Sequence, residues 1–278
     1  MKRMEARELL IQSADASFKE FNDRITNCTV APSIGVRVPD IRGIAKKIIK
    51  DGWEEYLEEM EALCGPYSEK LPGQGLKQGG RETALCGDRM LWQEEHMLQG
   101  IVAGSARMSK EERVRHLDAW VVQILSWADC DCSVSSMKFM KKDQDFWYAY
   151  TTGWLAKAGG NGTKQLQVQP FAVRFAVVAL MQYYINDEYI DRVLEIFSSP
   201  CGYEASGSLQ SPDEEVYYIK MAQAWALSVC FVKYRDRTLH LFEKKSMDSW
   251  VQNKAIQKCR ESYRVSQEDK ELLKTLKF

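Results

Sequence analysis

Along nearly the whole chain apolar residues recur three and four positions apart, and the two-residue alternation of a half-buried strand is essentially missing. That property confines the fold to helices packed on helices. The first stripe, Leu9, Leu10, Ala14, Phe18 and Phe21, predicts one helix over most of Arg3 to Ile25. Pro39 opens a second, carrying Ile41, Ile44, Ala45, Ile48 and Ile49, because a missing N–H costs nothing in a first turn. A short helix follows over Trp53 to Leu63. Between Cys64 and Leu91, six glycines and two prolines break every period, which predicts an exposed Gly-rich insertion at about 64–91. Its Gly-x-Gly at 73 to 75 follows no strand and opens no helix, so it does not read as a phosphate-cradling loop.

Helices then come in pairs. Trp92 to Met108 precedes a helix announced by the capping box Ser109 and Glu112. Trp127 to Phe139 pairs with Phe146 to Ala158, ending in a turn at 159–162, and Pro170 to Ile185 pairs with Glu188 to Phe197. Ser211 caps a long helix reaching Val232, and Thr238 to Lys244, Asp248 to Tyr263 and Ser266 to Leu276 close the chain. Pairs of roughly 35–45 residues, each needing neighbours to cover its apolar stripe, predict an all-α solenoid with a concave surface. We expect it to form a single domain over 1–278; a compact helical bundle is the alternative.

With 45% hydrophobic residues among 278, the chain can bury a large core. A net charge of -1 lacks the excess of Lys and Arg that usually marks a nucleic-acid binder. Any anion-binding face must come from local segregation of charge. Met137 to Lys164 carries five Lys against two Asp, and Trp250 to Phe278 carries seven basic against four acidic residues; both also fit ordinary solvated helix faces. Eight cysteines without a Cys-x-x-Cys spacing, and only three histidines, argue against a zinc site, so no metal or cofactor is expected. Cys130, Cys132, Cys230 and Cys259 read as small buried side chains in a reducing cytosol. Met1 to Leu10 is charged throughout, unlike a signal peptide, and no apolar run is long enough to span a bilayer, so a soluble cytoplasmic protein is expected.

Four side chains carry chemistry. Trp127 and Asp131 stand one helical turn apart, while Asp129 points elsewhere as a first-turn acid favoured by the helix dipole. Core packing for Trp127 and a capping or salt-bridged role for Asp131 are the plain alternatives. Arg174 sits in an otherwise apolar helix, where a guanidinium needs either an acid partner or a phosphate. Trp225 lies among alanines at 222, 224 and 226 that let a helix or a ligand approach; it too could be core.

The segments around these residues, Gly35-Val-Arg-Val-Pro-Asp-Ile-Arg-Gly-Ile-Ala-Lys-Lys-Ile, Trp127 to Asp131, Phe171-Ala-Val-Arg174-Phe-Ala and Tyr218-Ile-Lys-Met-Ala-Gln-Ala-Trp225-Ala-Leu, together resemble the AlkD-like DNA alkylation repair family. The closing Asn253-Lys-Ala-Ile-Gln-Lys-Cys-Arg-Glu-Ser-Tyr-Arg-Val is similar as well, so the resemblance runs from about residue 35 to the end. It implies a horseshoe of HEAT-like repeats cradling duplex DNA, and a glycosylase that excises N3- or N7-alkylated purines without a metal. It also implies Asp131 as the catalytic carboxylate, Trp127 and Trp225 as flanking aromatics, and Arg174 as the phosphate fork. Lys254, Lys258 and Arg264 of the closing motif would touch DNA. A monomer acting on double-stranded DNA with alkylated bases, associated with the nucleoid when bound, is the expectation. A non-catalytic HEAT-repeat solenoid binding duplex or branched DNA and a protein-interaction scaffold are the alternatives.

Overall fold

A computed structural model describes residues 1–26, 32–64, 91–158, 170–200 and 212–278, and among them every regular element is helical. The chain is all-α. The Gly-rich stretch between Cys64 and Leu91, the turn at 159–162 and the Ser211 cap lie outside the described residues. Two compact units divide the chain, one built from Met1–Phe139 and the other from Met140–Ser206 and Gln210–Phe278.

The first unit holds α1 (Arg3–Gln12), α2 (Ala16–Thr26), α3 (Val38–Asp51), α4 (Glu54–Cys64), α5 (Gln93–Ser105), α6 (Lys110–Val121) and α7 (Trp127–Val134). The single helix expected over 3–25 is broken into α1 and α2, and Asp15 is the reason. Its carboxylate accepts from the Ser17 and Phe18 amides at 2.9 and 3.1 Å and from the Ser17 hydroxyl at 2.6 Å, which starts a new helix. Those bonds and Arg37 hold the Asp15 carboxyl down at about 2. Ser109 caps α6 as its sequence predicts, accepting from Glu112 N at 3.1 Å while the Glu112 carboxylate accepts from Ser109 N at 2.9 Å. The helix expected over 127–139 stops at Val134 and gives way to a 3-10 turn over Lys138–Lys141.

Helices α3, α5 and α7 stack in order, with α1, α4 and α6 packed behind them. Every position of α5 from Gln93 to Gly104 is buried. Gly100 makes the stack possible. A Cβ there would meet the Trp120 indole at 2.4 Å and the Ser133 hydroxyl at 2.6 Å. The indole cannot swing aside cheaply, because its Nε1 donates to His96 O at 3.1 Å in the core. Gly100→Ala is therefore expected to lose about 2 kcal/mol despite the better helix propensity of alanine. Urea unfolding monitored by Trp fluorescence checks this, and an unchanged midpoint would refute the close approach.

The second unit holds α8 (Gln144–Ala158), α9 (Pro170–Tyr183), α10 (Ile190–Ser198), α11 (Pro212–Lys233), α12 (Arg235–Lys244), α13 (Ser249–Glu261) and α14 (Gln267–Thr275). It repeats the pattern: α9, α11 and α13 stack in order, each backed by neighbours in sequence. In both units, then, helix pairs stack one after another, the solenoid-like arrangement that the periodicity predicts. All of α9 except Gln182 is buried. Ala222, Ala224 and Ala226 are buried on α11, so these small residues serve helix approach.

Candidate functional site

In the first unit the site is organised by the start of α7. Ser126 caps it, its hydroxyl accepting from Asp129 N at 3.2 Å and from the Gln93 amide of α5 at 2.7 Å. The adjacent Glu94 carboxylate is wrapped by the loop before α3. It accepts from the Ser33 hydroxyl and Gly35 N, both at 2.8 Å, and from the Ile34 and Val36 amides. Gly35 holds φ at +84°, and a Cβ there would strike Asp15 O at 2.4 Å, so only glycine closes this loop. Helices α3, α5 and α7 are thus tied together at one end by buried polar bonds, which fixes where the α7 side chains project.

Trp127 begins α7 and is half-buried; Asp131, one turn on, is also half-exposed. Asp129 holds the first-turn place that its sequence predicts, and there it is fully buried at 0% exposure. Burial pushes its carboxyl up to about 8, outweighing the Ser126 hydroxyl and the Leu125 and Ser126 amides that favour the anion, while the Glu94 charge adds to the rise. Alternate carboxylates of one helix therefore have different fates: Asp129 is buried, and Asp131 stays partly exposed.

Arg42 on α3 was not singled out from the sequence, yet its Nη2 donates to Ser135 Oγ at 2.9 Å, one turn beyond Asp131. Arg42, Lys46 and Lys50 are exposed at four-residue spacing and form a basic stripe along α3. Between Asp131 and Ser135 lies Cys132, only partly buried where full burial is expected from sequence. Burial first and the Asp131 charge second push its thiol up to about 11 against the pull of Arg42. A whole-chain charge near zero conceals the α3 stripe, and only the helical register reveals it.

Five of the candidate residues belong to the second unit. Arg174 is 4% exposed, and its Nη1 donates to Tyr218 O on α11 at 2.9 Å. Seven residues later, on the same face of α11, stands half-buried Trp225. From Tyr217 onward this partly exposed face of α11 is apolar, running through Tyr217, Tyr218, Met221, Trp225 and Val229, with Glu214 one turn before it. Beside it, α13 presents Lys254 and Lys258, one turn apart and partly exposed, and Arg264 follows the helix in solvent. Lys254 Nζ donates to the neutral Gln257 amide at 3.0 Å, and the Arg264 guanidinium lies 5.6 Å from the Tyr263 ring. Among the described residues neither lysine forms an ion pair with a carboxylate.

The second unit thus presents basic side chains next to large aromatic ones, a combination suited to phosphate and base contact, and the first presents a basic stripe on α3. Among the described residues no cluster of three His, Cys, Asp or Glu side chains is gathered as a metal ion would require, and no helix is long and apolar enough to cross a membrane. No protein-family model matches the chain, and neither a curated protein nor a solved structure matches it significantly.

Proposed function

We propose that this chain binds duplex DNA and hydrolyses the N-glycosidic bond of cationic N3- or N7-alkylated purines, as its resemblance to the AlkD-like DNA alkylation repair family implies. The carrying observation is the pair on α7: an indole and a partly exposed carboxylate one turn apart, on a helix whose other acid is buried. An alkylated purine bears a positive charge, so its bond to C1′ is primed to break. The bonding electron pair leaves with the base, which departs neutral, and water adds to the cationic sugar and loses a proton. Asp131 would stabilise that sugar electrostatically and orient or deprotonate the water. The indole face of Trp127 would favour the same positive charge, and the resemblance gives Trp225, in the second unit, an aromatic role of the same kind. Phosphates would be gripped by Lys254, Lys258 and Arg264, as the resemblance implies, with Arg42, Lys46 and Lys50 joining them.

Methylated duplex DNA incubated with the protein tests this directly. Free 7-methylguanine and 3-methyladenine are expected in the supernatant, with abasic sites left in equal number. Binding without release would instead support a non-catalytic DNA-binding protein. One observation favours that second reading: Arg174 is already engaged by the Tyr218 carbonyl and is almost fully buried, a poor starting position for a phosphate fork. If Arg174 does turn to a phosphate, Arg174→Ala should weaken duplex binding and make the slope of log Kd against log salt shallower by nearly one. Parallel slopes for parent and variant would leave the arginine as a tie between α9 and α11.

A further inference from the structure

Tyr217 and Trp250 are 44% and 38% exposed, and their rings meet at 5.7 Å and 67°. Among the described residues this is the ring pair in which both members are exposed. Each ring keeps more than a third of its surface in solvent, which core packing alone does not require of two large aromatics. Their setting is cationic. Lys254 and Lys258 follow Trp250 at four-residue steps on α13, so they share its face. Asp248, two residues before Trp250, caps α13 by accepting from Val251 N at 3.0 Å and pairs with Lys220 at 2.7 Å, while Glu214 lies one turn before Tyr217 on α11. Tyr217 in turn lies on α11 two turns before Trp225, along the same apolar stripe.

We propose that Tyr217 and Trp250, with Lys254 and Lys258 beside them, form a stacking platform that holds an unpaired base of DNA while the lysines take the flanking phosphates. Every base has a π-face, so such a platform binds without regard to sequence, and a base inside an intact duplex cannot reach it. The surface therefore discriminates between DNA with an exposed base and fully paired DNA. The inference rests on the DNA-binding reading above but not on glycosylase activity, and it assigns these four residues a role separate from Asp131.

The test uses the full chain and two probes of equal length, a fully paired duplex and one with a short single-stranded gap carrying 2-aminopurine. The parent should bind the gapped probe at least fivefold more tightly and quench its fluorescence by stacking. Trp250→Ala and Tyr217→Ala should each remove that margin, by roughly 5- to 100-fold, and leave paired-duplex affinity unchanged. Trp250→Phe, which keeps a ring, should retain most of it. Lys254→Gln should weaken both probes alike and make their salt dependence shallower. Because both rings are at the surface, the variants should unfold at the parent's midpoint. Binding of paired duplex with no gap preference, or a preference indifferent to Trp250→Ala, overturns the platform alone. Failure to bind either probe overturns the DNA-binding reading with it. A concentration-dependent dimer abolished by Trp250→Ala would also overturn the platform, by making the ring pair a contact between copies.

Discussion

Replacing Asp129 with asparagine should abolish a fall in stability that the parent shows as the pH rises from 6 to 8. The folded chain holds the Asp129 proton up to about pH 8, whereas the unfolded chain releases it near 3.8. Stability from this group is therefore complete below about pH 4 and is lost as the pH climbs through 8, because the unfolded state then binds fewer protons. Each unit inside that window costs about 1.4 kcal/mol, so the step from pH 6 to 8 removes about 2 kcal/mol, roughly 5 °C in Tm for a chain of this size. The asparagine side chain cannot ionise, and the variant should melt at nearly the same temperature at both values and above the parent at pH 8. Buried His96, pushed down to about 4, stays neutral throughout and does not mimic the effect. Differential scanning calorimetry of both proteins decides it. A parent whose Tm does not fall across the window, or an Asp129→Asn variant with the parent's slope, would mean that Asp129 is not held protonated inside α7.

The contrast between Asp129 and Asp131 also marks how far the sequence could be read. Period and caps were legible because they are local: Pro39 at the start of α3, Ser109 with Glu112 at α6, and the stripe Ile41, Ile44, Ala45, Ile48 all lie as their spacing predicts. Asp15 was misread as part of a continuous helix, although aspartate is itself a favoured N-cap residue. Asp129 is the first-turn acid that its sequence predicts, but its burial was not legible. First-turn acids are usually solvated, and nothing local reveals that Glu94 and Gln93 of a helix more than thirty residues away close over that turn. Arg42 was missed because its significance lies in Ser135, ninety-three residues on. The Tyr217–Trp250 pair escaped on the same grounds, since α11 and α13 meet only in the folded unit. Local chemistry is written in the sequence; which faces remain uncovered is decided by stacking.

Asp131→Asn should slow release of 7-methylguanine from methylated duplex by roughly 10²- to 10³-fold while changing duplex affinity by less than about threefold. The size follows from Coulomb's law: a unit negative charge about 4 Å from a cationic sugar, at an effective dielectric near 20, is worth about 4 kcal/mol, close to a thousandfold in rate. Affinity should hold because the charge on the sugar develops only as the bond breaks, so the carboxylate acts on the transition state and not on the bound substrate. Removing a negative group from a DNA-binding face should, if anything, tighten binding, which separates this outcome from a folding defect. Asp129→Asn is the matched control. It alters the same helix two residues away and should keep excision near the parent rate at pH 6, where Asp129 already carries its proton. Equal rates for Asp131→Asn and the parent, measured by single-turnover product release, would take the carboxylate out of the chemistry. Equal losses in both variants would show that the seating of α7, rather than the charge on Asp131, had been disturbed.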